Sequence, residues 1–244
     1  MPNPVLDIVF ARNDVTLPSS FVDYGKPTKP LDRLSEPLIN KWKSRRVAHF
    51  LLHQLFKRHQ LDLHLLQQIK RTESGRPFVD HPNLDFNISH SGEWVAVILS
   101  YAQPKSVVGI DIEHPRKVRR VDALLAYYAG EQERREIQHP DILPQLTGID
   151  SRFYLTWCLR EAVLKSQGVG IVKLSEVRHI PSEQKIVSAH CPQGKLYFYP
   201  QLPFYLAYFY AQPQSVLSST PKLFEWKNGT FQLQHSIPII YQVN

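Results

Sequence analysis

Hydrophobic residues recur along this chain with two different periods. Short apolar runs predict strands at residues 5–11, 84–91 and 93–100, and the last two meet at a Ser-Gly turn, so we expect a hairpin there. Between residues 38 and 59, leucine and aromatic residues return every three or four positions, which predicts an amphipathic helix. Further strands are predicted at residues 195–199, 204–211 and 231–235.

Two more helices are predicted in the second half of the chain. One covers residues 121–137, and the other begins with Asp150 or Ser151 as its cap and ends at Gly168. Strands tend to follow one another as hairpins, and regular β-α-β alternation is absent from the pattern. The fold class that this favours is α+β with mostly antiparallel sheets.

The length of 244 residues suits one large domain or two of moderate size. The stretch YAQPKS at residues 101–106 is the best candidate for a linker. We therefore expect one lobe at residues 1–102 and a second at residues 103–244. The hydrophobic fraction of 43% is sufficient for a folded core.

Charge and cysteine usage narrow the class of protein. The net charge of +7 favours an acidic partner or a phosphate-rich ligand. Cys158 and Cys191 make neither a zinc spacing nor a disulfide framework, so a reducing, cytoplasmic location is expected. No leader pattern is visible, and the longest apolar run, residues 94–99, is too short to span a bilayer, so we expect a soluble protein without a membrane partner.

The stretch VGIDIE at residues 108–113 places two acids on an otherwise apolar strand. Because side chains alternate along a strand, Gly109, Asp111 and Glu113 share one face. Two carboxylates about 7 Å apart repel each other unless a positive group lies between them. The alternative is an edge strand with its acids in solvent, which the apolar neighbours disfavour.

The stretch WCLREAVLK at residues 157–165 adds a third acid. Trp157, Glu161 and Lys165 are four residues apart and form one stripe on a helix. Taken alone, this stripe also fits an ordinary ion pair on a helix surface. Together with the two acids of the strand, however, it gives three carboxylates, which is the type of site that Mg²⁺ prefers when it bridges to substrate phosphates.

Possible phosphate-binding residues lie earlier in the chain. Ser89 and His90 stand at the end of a predicted strand, beside a turn. Arg76 lies on the Gly-Arg-Pro turn, and Arg45 and Arg46 lie on the first predicted helix. The planar guanidinium group donates two hydrogen bonds to a phosphate at once. For each of these residues separately, a structural or solvated role is the alternative.

In chain order, these motifs resemble a known enzyme family. GRP, FNISHSG, VGIDIE and FYLTWCLREAVLKSQGVGI follow one another between Gly75 and Ile171. Their order and spacing are similar to those of the 4′-phosphopantetheinyl transferases, in particular the type that activates surfactin synthetase. Each motif is short, but three of them in the same order are specific.

The resemblance implies an activity and a fold. Such enzymes transfer the 4′-phosphopantetheine group of coenzyme A to a serine of an apo acyl or peptidyl carrier protein, with Mg²⁺, in fatty acid, polyketide or peptide synthesis. Their fold has two similar α+β lobes with the active site between them. The first lobe would hold the nucleotide end of coenzyme A, and the second would hold the metal and the phosphates. A chain that contains both lobes is expected to act as a monomer.

The resemblance also implies roles for individual residues in catalysis. Asp111, Glu113 and Glu161 correspond to the metal ligands. Either Glu161 or a water on the metal is expected to accept the proton of the attacking serine, and Glu161 is the favoured choice. Lys165 corresponds to the lysine that contacts the phosphates, and it would stabilise the departing 3′,5′-ADP.

A second group of residues corresponds to the coenzyme A pocket. Ser89 and His90 match residues that hold the nucleotide end, including its 3′-phosphate. Asp111, Lys165 and Arg76 would contact the phosphates, and Arg46 would belong to the same pocket, with Arg45 as a rival for that role.

Three departures from the family pattern concern charged or docking residues. Arg160 stands where the family has a lysine, so that position cannot exchange a proton at neutral pH. Arg76 replaces the lysine of the usual Gly-Lys-Pro turn. The stretch YYAGEQE at residues 127–133 is only loosely similar to a family segment associated with docking of the carrier protein.

Two other functions fit parts of the pattern. A Mg²⁺-dependent phosphoryl-transfer enzyme acting on nucleic acid would use the basic charge and the acidic triad, but no nucleic-acid-binding motif is present, so no nucleic-acid partner is expected. A non-catalytic relative that binds carrier proteins is the other alternative, because of Arg160. The basic run at residues 114–120 would steer an acidic carrier protein, or it is simply a solvated loop.

Overall fold

The computed structural model describes residues 4–23, 35–116, 119–211 and 221–244. The helices are α1 (Glu36–Arg58), α2 (Val121–Tyr128), α3 (Glu131–Gln138) and α4 (Gly148–Ser166). The strands are β1 (Val5–Arg12), β2 (Lys70–Arg71), β3 (Pro77–Phe78), β4 (Leu84–Ser91), β5 (Trp94–Tyr101), β6 (Val108–Glu113), β7 (Arg178–Ile180), β8 (Lys185–Val187), β9 (Gly194–Tyr199), β10 (Tyr205–Ala211), β11 (Lys222–Lys227), β12 (Thr230–Leu233) and β13 (Ile239–Val243). Short 3₁₀ helices lie at Leu63–Gln68, Ile171–Glu176 and Pro181–Glu183.

The first sheet has the spatial order β12-β11-β1-β5-β4. The strands β4 and β5 pair in antiparallel fashion around the turn after Ser91, which confirms the predicted hairpin. Helix α1 packs on one face of this sheet, where Leu51 and Leu55 are fully buried against Val97 and Leu99 of β5. The amphipathic pattern of residues 38–59 therefore predicted both the helix and its buried face.

The second sheet has the order β6-β10-β9-β13-β8-β7. Helix α4 lies across its β6 and β10 strands, and its buried residues Phe153, Leu159 and Val163 share a core with Ala207 and Phe209 of β10. A third core lies between the two sheets, where residues such as Ile8, Ile98 and Ile110 meet. The two long helices thus lie on faces of the sheets that point away from this shared core.

The α+β class predicted from the sequence is confirmed. The single helix predicted at residues 121–137 is wrong, because Ala129 and Gly130 adopt extended backbone angles between α2 and α3. The predicted cap of the next helix is also wrong. Thr147 is the N-cap residue, and Ser151 lies in the first turn, where its hydroxyl donates to the Thr147 carbonyl. Gly168 follows the end of α4 with a φ of +65°, as its role in ending the helix requires.

The division at residues 102 and 103 stays a prediction. The chain returns to the first sheet at β11 and β12, and β11 runs parallel to β1. Residues 222–233 therefore add to the sheet that the N-terminal half builds. Among the helices of the described residues, none is long and apolar enough to cross a membrane.

Candidate active site at the contact of β6 and α4

Helix α4 approaches β6 most closely at Gly109. A Cβ atom at Gly109 would lie 2.0 Å from the carbonyl oxygen of Ala162 and 2.8 Å from the backbone nitrogen of Ser166. Only a residue without a side chain allows this approach. Because Asp111 and Glu113 share the face of Gly109, the helix lies over both acids.

Lys165 joins the strand and the helix. Its Nζ atom lies 2.5 Å from Oδ1 of Asp111 and 3.2 Å from Oε2 of Glu161. The same nitrogen donates a hydrogen bond of 3.1 Å to the hydroxyl of Ser89 in β4. The hydroxyl of Ser89 in turn donates to Asp111 over 3.1 Å. The structure thus brings four of the predicted site residues together from three distant parts of the chain.

Burial and mutual repulsion set the protonation of the acids. Burial raises the pKa of Asp111, and the charge of Glu113 adds to it, against the attraction of Lys165. Burial and the charge of Asp111 likewise raise the pKa of Glu161. Burial alone would lower the pKa of Lys165, but Asp111 and Glu161 outweigh it and raise the pKa above its ordinary value. The site is therefore a group of acids that depends on a cation.

Glu113 is held by a different cation. Its Oε2 atom accepts hydrogen bonds from the hydroxyl of Ser91 over 3.1 Å and from Nη2 of Arg119 over 3.2 Å. The guanidinium group of Arg119 also lies 6.0 Å and 5.9 Å from the ring centres of Tyr154 and Trp157. Sequence reasoning placed Arg119 only in a basic loop, whose Lys117 and Val118 are outside the described residues. The six-residue spacing from Glu113 carried no signal for this contact.

The donor set fits a divalent cation. In the part of the chain that the structure describes, no three acidic, histidine or cysteine side chains stand in a metal-binding arrangement, and Lys165 contacts both Asp111 and Glu161. The Oδ2 atom of Asp111 is nevertheless buried without a nitrogen or oxygen partner, and the thiol of Cys158 is the weak donor beside this carboxylate. Carboxylate oxygens are the ligands that Mg²⁺ prefers. Movement of Lys165 towards a phosphate would leave this set open to such an ion.

A basic group lies next to these acids, around His90. Desolvation of the ring and then the charges of Lys165, Lys41 and Arg45 lower the pKa of His90. Lys41 and Arg45 are exposed and one helical turn apart on α1. Sequence reasoning missed Lys41, although its spacing of four from Arg45 placed both on one helix face.

The two other predicted arginines lie in defined contacts. Arg46 stacks on the ring of Trp42 in its own helix, at 5.3 Å. Arg76 is largely buried, and its Nη2 atom lies 2.9 Å and 2.8 Å from the two carboxylate oxygens of Asp85. Their predicted roles in binding coenzyme A stay predictions.

Arg160 points away from Glu161 and Lys165. Its side chain is 1% exposed, and its Nη2 atom lies 2.5 Å from Oε2 of Glu133. Nε donates to the carbonyl of Leu174 over 3.2 Å, and Nη1 contacts Thr156. A cavity of about 320 Å³ adjoins this group and is lined in part by Arg160, Glu133 and His179. Arginine at the position of the family lysine therefore belongs to a buried ion pair with Glu133. It has no part in the contacts of Asp111 and Glu161 with Lys165, on another face of α4.

Comparison with known proteins gives one family. Residues 107–204, which contain β6 and α4, match the model of the 4′-phosphopantetheinyl transferase superfamily. A Haemophilus influenzae protein provisionally named a 4′-phosphopantetheinyl transferase is 47% identical over 245 residues, covering 93% of this chain and 100% of that protein. A 4′-phosphopantetheinyl transferase of Bacillus subtilis is 31% identical over 121 residues, covering 46% of this chain and 49% of the relative. The 4′-phosphopantetheinyl transferase AcpT of Escherichia coli K12 is 34% identical over 106 residues, covering 42% and 50%.

Proposed function

The chain belongs to the family of 4′-phosphopantetheinyl transferases, and we propose that it transfers the 4′-phosphopantetheine group of coenzyme A to a carrier-protein serine at the contact of β6 and α4. The observation that carries this site is the position of Lys165 between Asp111 and Glu161. A cation among buried acids is an arrangement suited to a diphosphate with its metal ion. We also propose the type that activates surfactin synthetase, because the motifs and both sheets lie in one chain.

Mg²⁺ is part of this proposal. When bound, it would neutralise the charge of the coenzyme A diphosphate, which otherwise repels an incoming serine oxygen. Asp111 and Glu161 would hold it, and Glu113 lies beside them. The Oδ2 atom of Asp111, which has no nitrogen or oxygen partner, supports this assignment.

Two side chains would move the proton and the charge. Glu161 would accept the proton of the serine hydroxyl as its oxygen forms a bond to the β-phosphorus. The bond from that phosphorus to the oxygen of 3′,5′-ADP breaks. Lys165 would turn from the acids to this leaving group and stabilise its charge.

The nucleotide end of coenzyme A would lie beside α1. Lys165, Lys41 and Arg45 all act electrostatically on His90, and this concentration of positive charge supports a site for the 3′-phosphate there. Ser89 would hold the phosphates next to Lys165. Arg46 is a further candidate for the same pocket, and Arg76 would belong to it only if its replacement weakened the use of coenzyme A and spared 3′-dephospho-coenzyme A.

Partners and location complete the proposal. Coenzyme A is the co-substrate, and the acceptor is an acyl or peptidyl carrier protein, of a kind that is usually acidic and so suits the net charge of +7. One chain provides both sheets and the site, which supports a monomer. Cys158 and Cys191 are both free, which supports the reducing environment of the cytoplasm.

Intact-mass spectrometry of apo carrier proteins tests the function. Incubation with this protein, coenzyme A and Mg²⁺ should add one phosphopantetheine group to the carrier protein. Asp111→Ala should abolish the transfer while the protein stays folded by circular dichroism. Undiminished transfer by this variant would refute the site, and no transfer by the natural protein to any fatty acid, polyketide or peptide carrier would refute the function.

A further inference from the structure

Polar side chains occupy every second position of β4, a strand whose other residues are apolar except for His90. They are Asp85, Asn87, Ser89 and Ser91. The strand β4 is the edge of the first sheet, and β6 is the edge of the second. The activity proposed above uses only Ser89 of this series, so the other three have no assigned role.

These four side chains accept hydrogen bonds from the backbone of β6 and of the residue after it. Each acceptor lies 23 residues before its donor, so the two strands run parallel in a fixed register. The bonds run from Val108 N to Asp85 Oδ2 at 2.9 Å, from Ile110 N to Asn87 Oδ1 at 2.9 Å, from Ile112 N to Ser89 Oγ at 3.2 Å and from His114 N to Ser91 Oγ at 3.0 Å.

The series replaces an ordinary strand pairing. The N–H groups of Val108, Ile110 and Ile112 are buried, and a buried donor without a partner is costly. Side-chain oxygens take the place of the carbonyl groups of a neighbouring strand. Asp85 and Asn87 place their accepting oxygens one covalent bond further from the backbone than the two serines do.

Arg76 contacts both strands at the Asp85 end of this series. Besides its ion pair with Asp85, its Nη2 atom donates to the carbonyl of Phe86 in β4 over 3.3 Å and to that of Val108 in β6 over 3.2 Å. One guanidinium group thus contacts both strands. These contacts lie at the Val108 end of β6, and Glu113 lies at the other end of the strand.

We propose that Asp85, Asn87 and Arg76 are positioning residues that fix the register of β6 against β4, and that this register sets the position of Asp111 relative to Ser89 and Lys165. They act through the backbone of β6, because Ile110 precedes Asp111. The inference rests on the proposed function and adds to it the residues that align the two halves of the site. A displacement of reacting groups by about 1 Å is enough to lower a rate by roughly 100-fold.

The test compares two buried asparagines. Asn87→Ala removes the acceptor for Ile110, whereas Asn13→Ala removes hydrogen bonds to Asn40 and Ser44 inside the first half of the chain. We expect Asn87→Ala to lower kcat by roughly 10-fold to 100-fold at a temperature well below its Tm, and to speed the hydrogen exchange of the β6 amides. Asn13→Ala should keep the kcat of the natural protein.

Asn87→Asp keeps an oxygen at the acceptor position and should restore most of the lost kcat. An Asn87→Ala protein that loses thermal stability but keeps its kcat would overturn the positioning role, and so would equal losses of kcat in Asn87→Ala and Asn13→Ala. If the natural protein modifies no carrier protein, this result would refute the proposed function and would say nothing about the strand register. In that case hydrogen exchange still tests the register, and unchanged β6 exchange in Asn87→Ala would overturn it.

A separate comparison tests Arg76. If Arg76 holds the two strands together, the Arg76→Gln substitution should lower kcat/KM equally for coenzyme A and for 3′-dephospho-coenzyme A. A loss confined to coenzyme A would overturn its positioning role and assign Arg76 to the 3′-phosphate.

Discussion

Lys165 contacts both of the carboxylates that would hold a metal ion. Its ammonium group lies where the charges of Asp111 and Glu161 need a cation, and its side chain is 30% exposed, so it can turn towards solvent or a ligand. Lysine and Mg²⁺ would therefore compete for the negative charge of the same two carboxylates. The ammonium group of Lys165 offsets the repulsion between the two carboxylates until a diphosphate binds and becomes its new partner.

This competition predicts the behaviour of Lys165→Ala. The variant leaves two buried carboxylates without their ammonium partner, so it should be less stable than the natural protein in the absence of metal. Addition of Mg²⁺ should then raise its Tm by more than it raises that of the natural protein, because no lysine has to be displaced. Thermal melting with and without MgCl₂ measures both effects.

Lys173→Ala is the matched control for this experiment. Lys173 forms an exposed pair with Glu176 one helical turn away, outside the site. Its response to Mg²⁺ should equal that of the natural protein. A Mg²⁺ shift in Lys165→Ala that is no larger than in the control would contradict the competition.

Glu133 gives a pH-dependent prediction. Burial alone would raise its pKa, but the hydrogen bond from His179 and the charge of Arg160 outweigh it and hold the pKa at about 2, against an ordinary value of 4.5. A carboxylate with a lowered pKa stabilises the fold above pH 4.5 and loses this contribution as the pH falls through about 2. At 1.36 kcal/mol per pKa unit, the contribution at neutral pH is on the order of 3 kcal/mol.

Glu133→Gln should therefore lower the free energy of unfolding at pH 7, and its difference from the natural protein should shrink between pH 4.5 and about 2. Urea unfolding at several pH values measures this difference. Glu131→Gln, in an exposed pair with Arg135, should change little at any pH. A difference for Glu133→Gln that stays constant with pH would show that packing, rather than ionisation, causes it.

At the scale of elements, the site depends on how closely α4 lies over β6. The helix carries Glu161 and Lys165, and the strand carries Asp111, so their meeting requires the contact at Gly109. The alternation of VGIDIE predicted which face of the strand holds the acids. It did not reveal the reason for glycine at position 109, because a close approach is a property of two elements together.

Gly109→Ala should separate these two elements. The new methyl group would overlap the carbonyl of Ala162, and the backbone there cannot yield without movement of the helix. We expect the free energy of unfolding to fall by about 1–3 kcal/mol. We also expect a much lower kcat for the molecules that remain folded. Urea unfolding and the carrier-protein mass assay measure the two effects.

Gly130→Ala is the control for this substitution. Gly130 has a φ of −63°, and a Cβ atom there would meet nothing within 4 Å. The variant should keep both its stability and its activity. Equal losses in the two variants would contradict the role of close packing at Gly109.

At the scale of the whole molecule, local patterns and distant contacts were not equally predictable. The hairpin, α1 and α4 could be predicted because their hydrophobic periods and turns lie within a few residues. The pairing of β1 with β11 joins segments more than 200 residues apart, and no local pattern specifies such a partner. The break between α2 and α3 was missed because both flanking segments have helical composition.

The same limit applies to the site. Its acids and Lys165 were found through short motifs and the family resemblance, which fix chemistry within one element. The partners of Arg76, Arg119 and Arg160 depend on the assembled fold, since a guanidinium group pairs with whichever carboxylate the packing brings near it. The alternation of Asp85, Asn87, Ser89 and Ser91 was visible in the sequence, but its meaning required the edge of the second sheet.

The net charge of +7 predicts electrostatic steering of an acidic carrier protein. The basic run ends with two arginines, Arg119 and Arg120. Arg119 forms an ion pair with Glu113, so replacing it by glutamate would damage the site itself. Arg120 is exposed at the start of α2 and is the better test. Arg120→Glu should lower kcat/KM for the carrier protein at low salt and leave kcat unchanged, because steering affects the encounter and not the chemistry.

Salt and a matched charge reversal separate steering from net charge. The defect of Arg120→Glu should disappear as salt is raised, since exposed charges act over only about 10 Å at 0.1 M ionic strength. Lys222→Glu makes the same change in net charge on β11, three strands from β4 in the first sheet, and should have a smaller effect. Equal effects of the two reversals at every salt concentration would mean that the carrier protein responds to total charge, and that the surface beside β6 and α2 is not where it approaches.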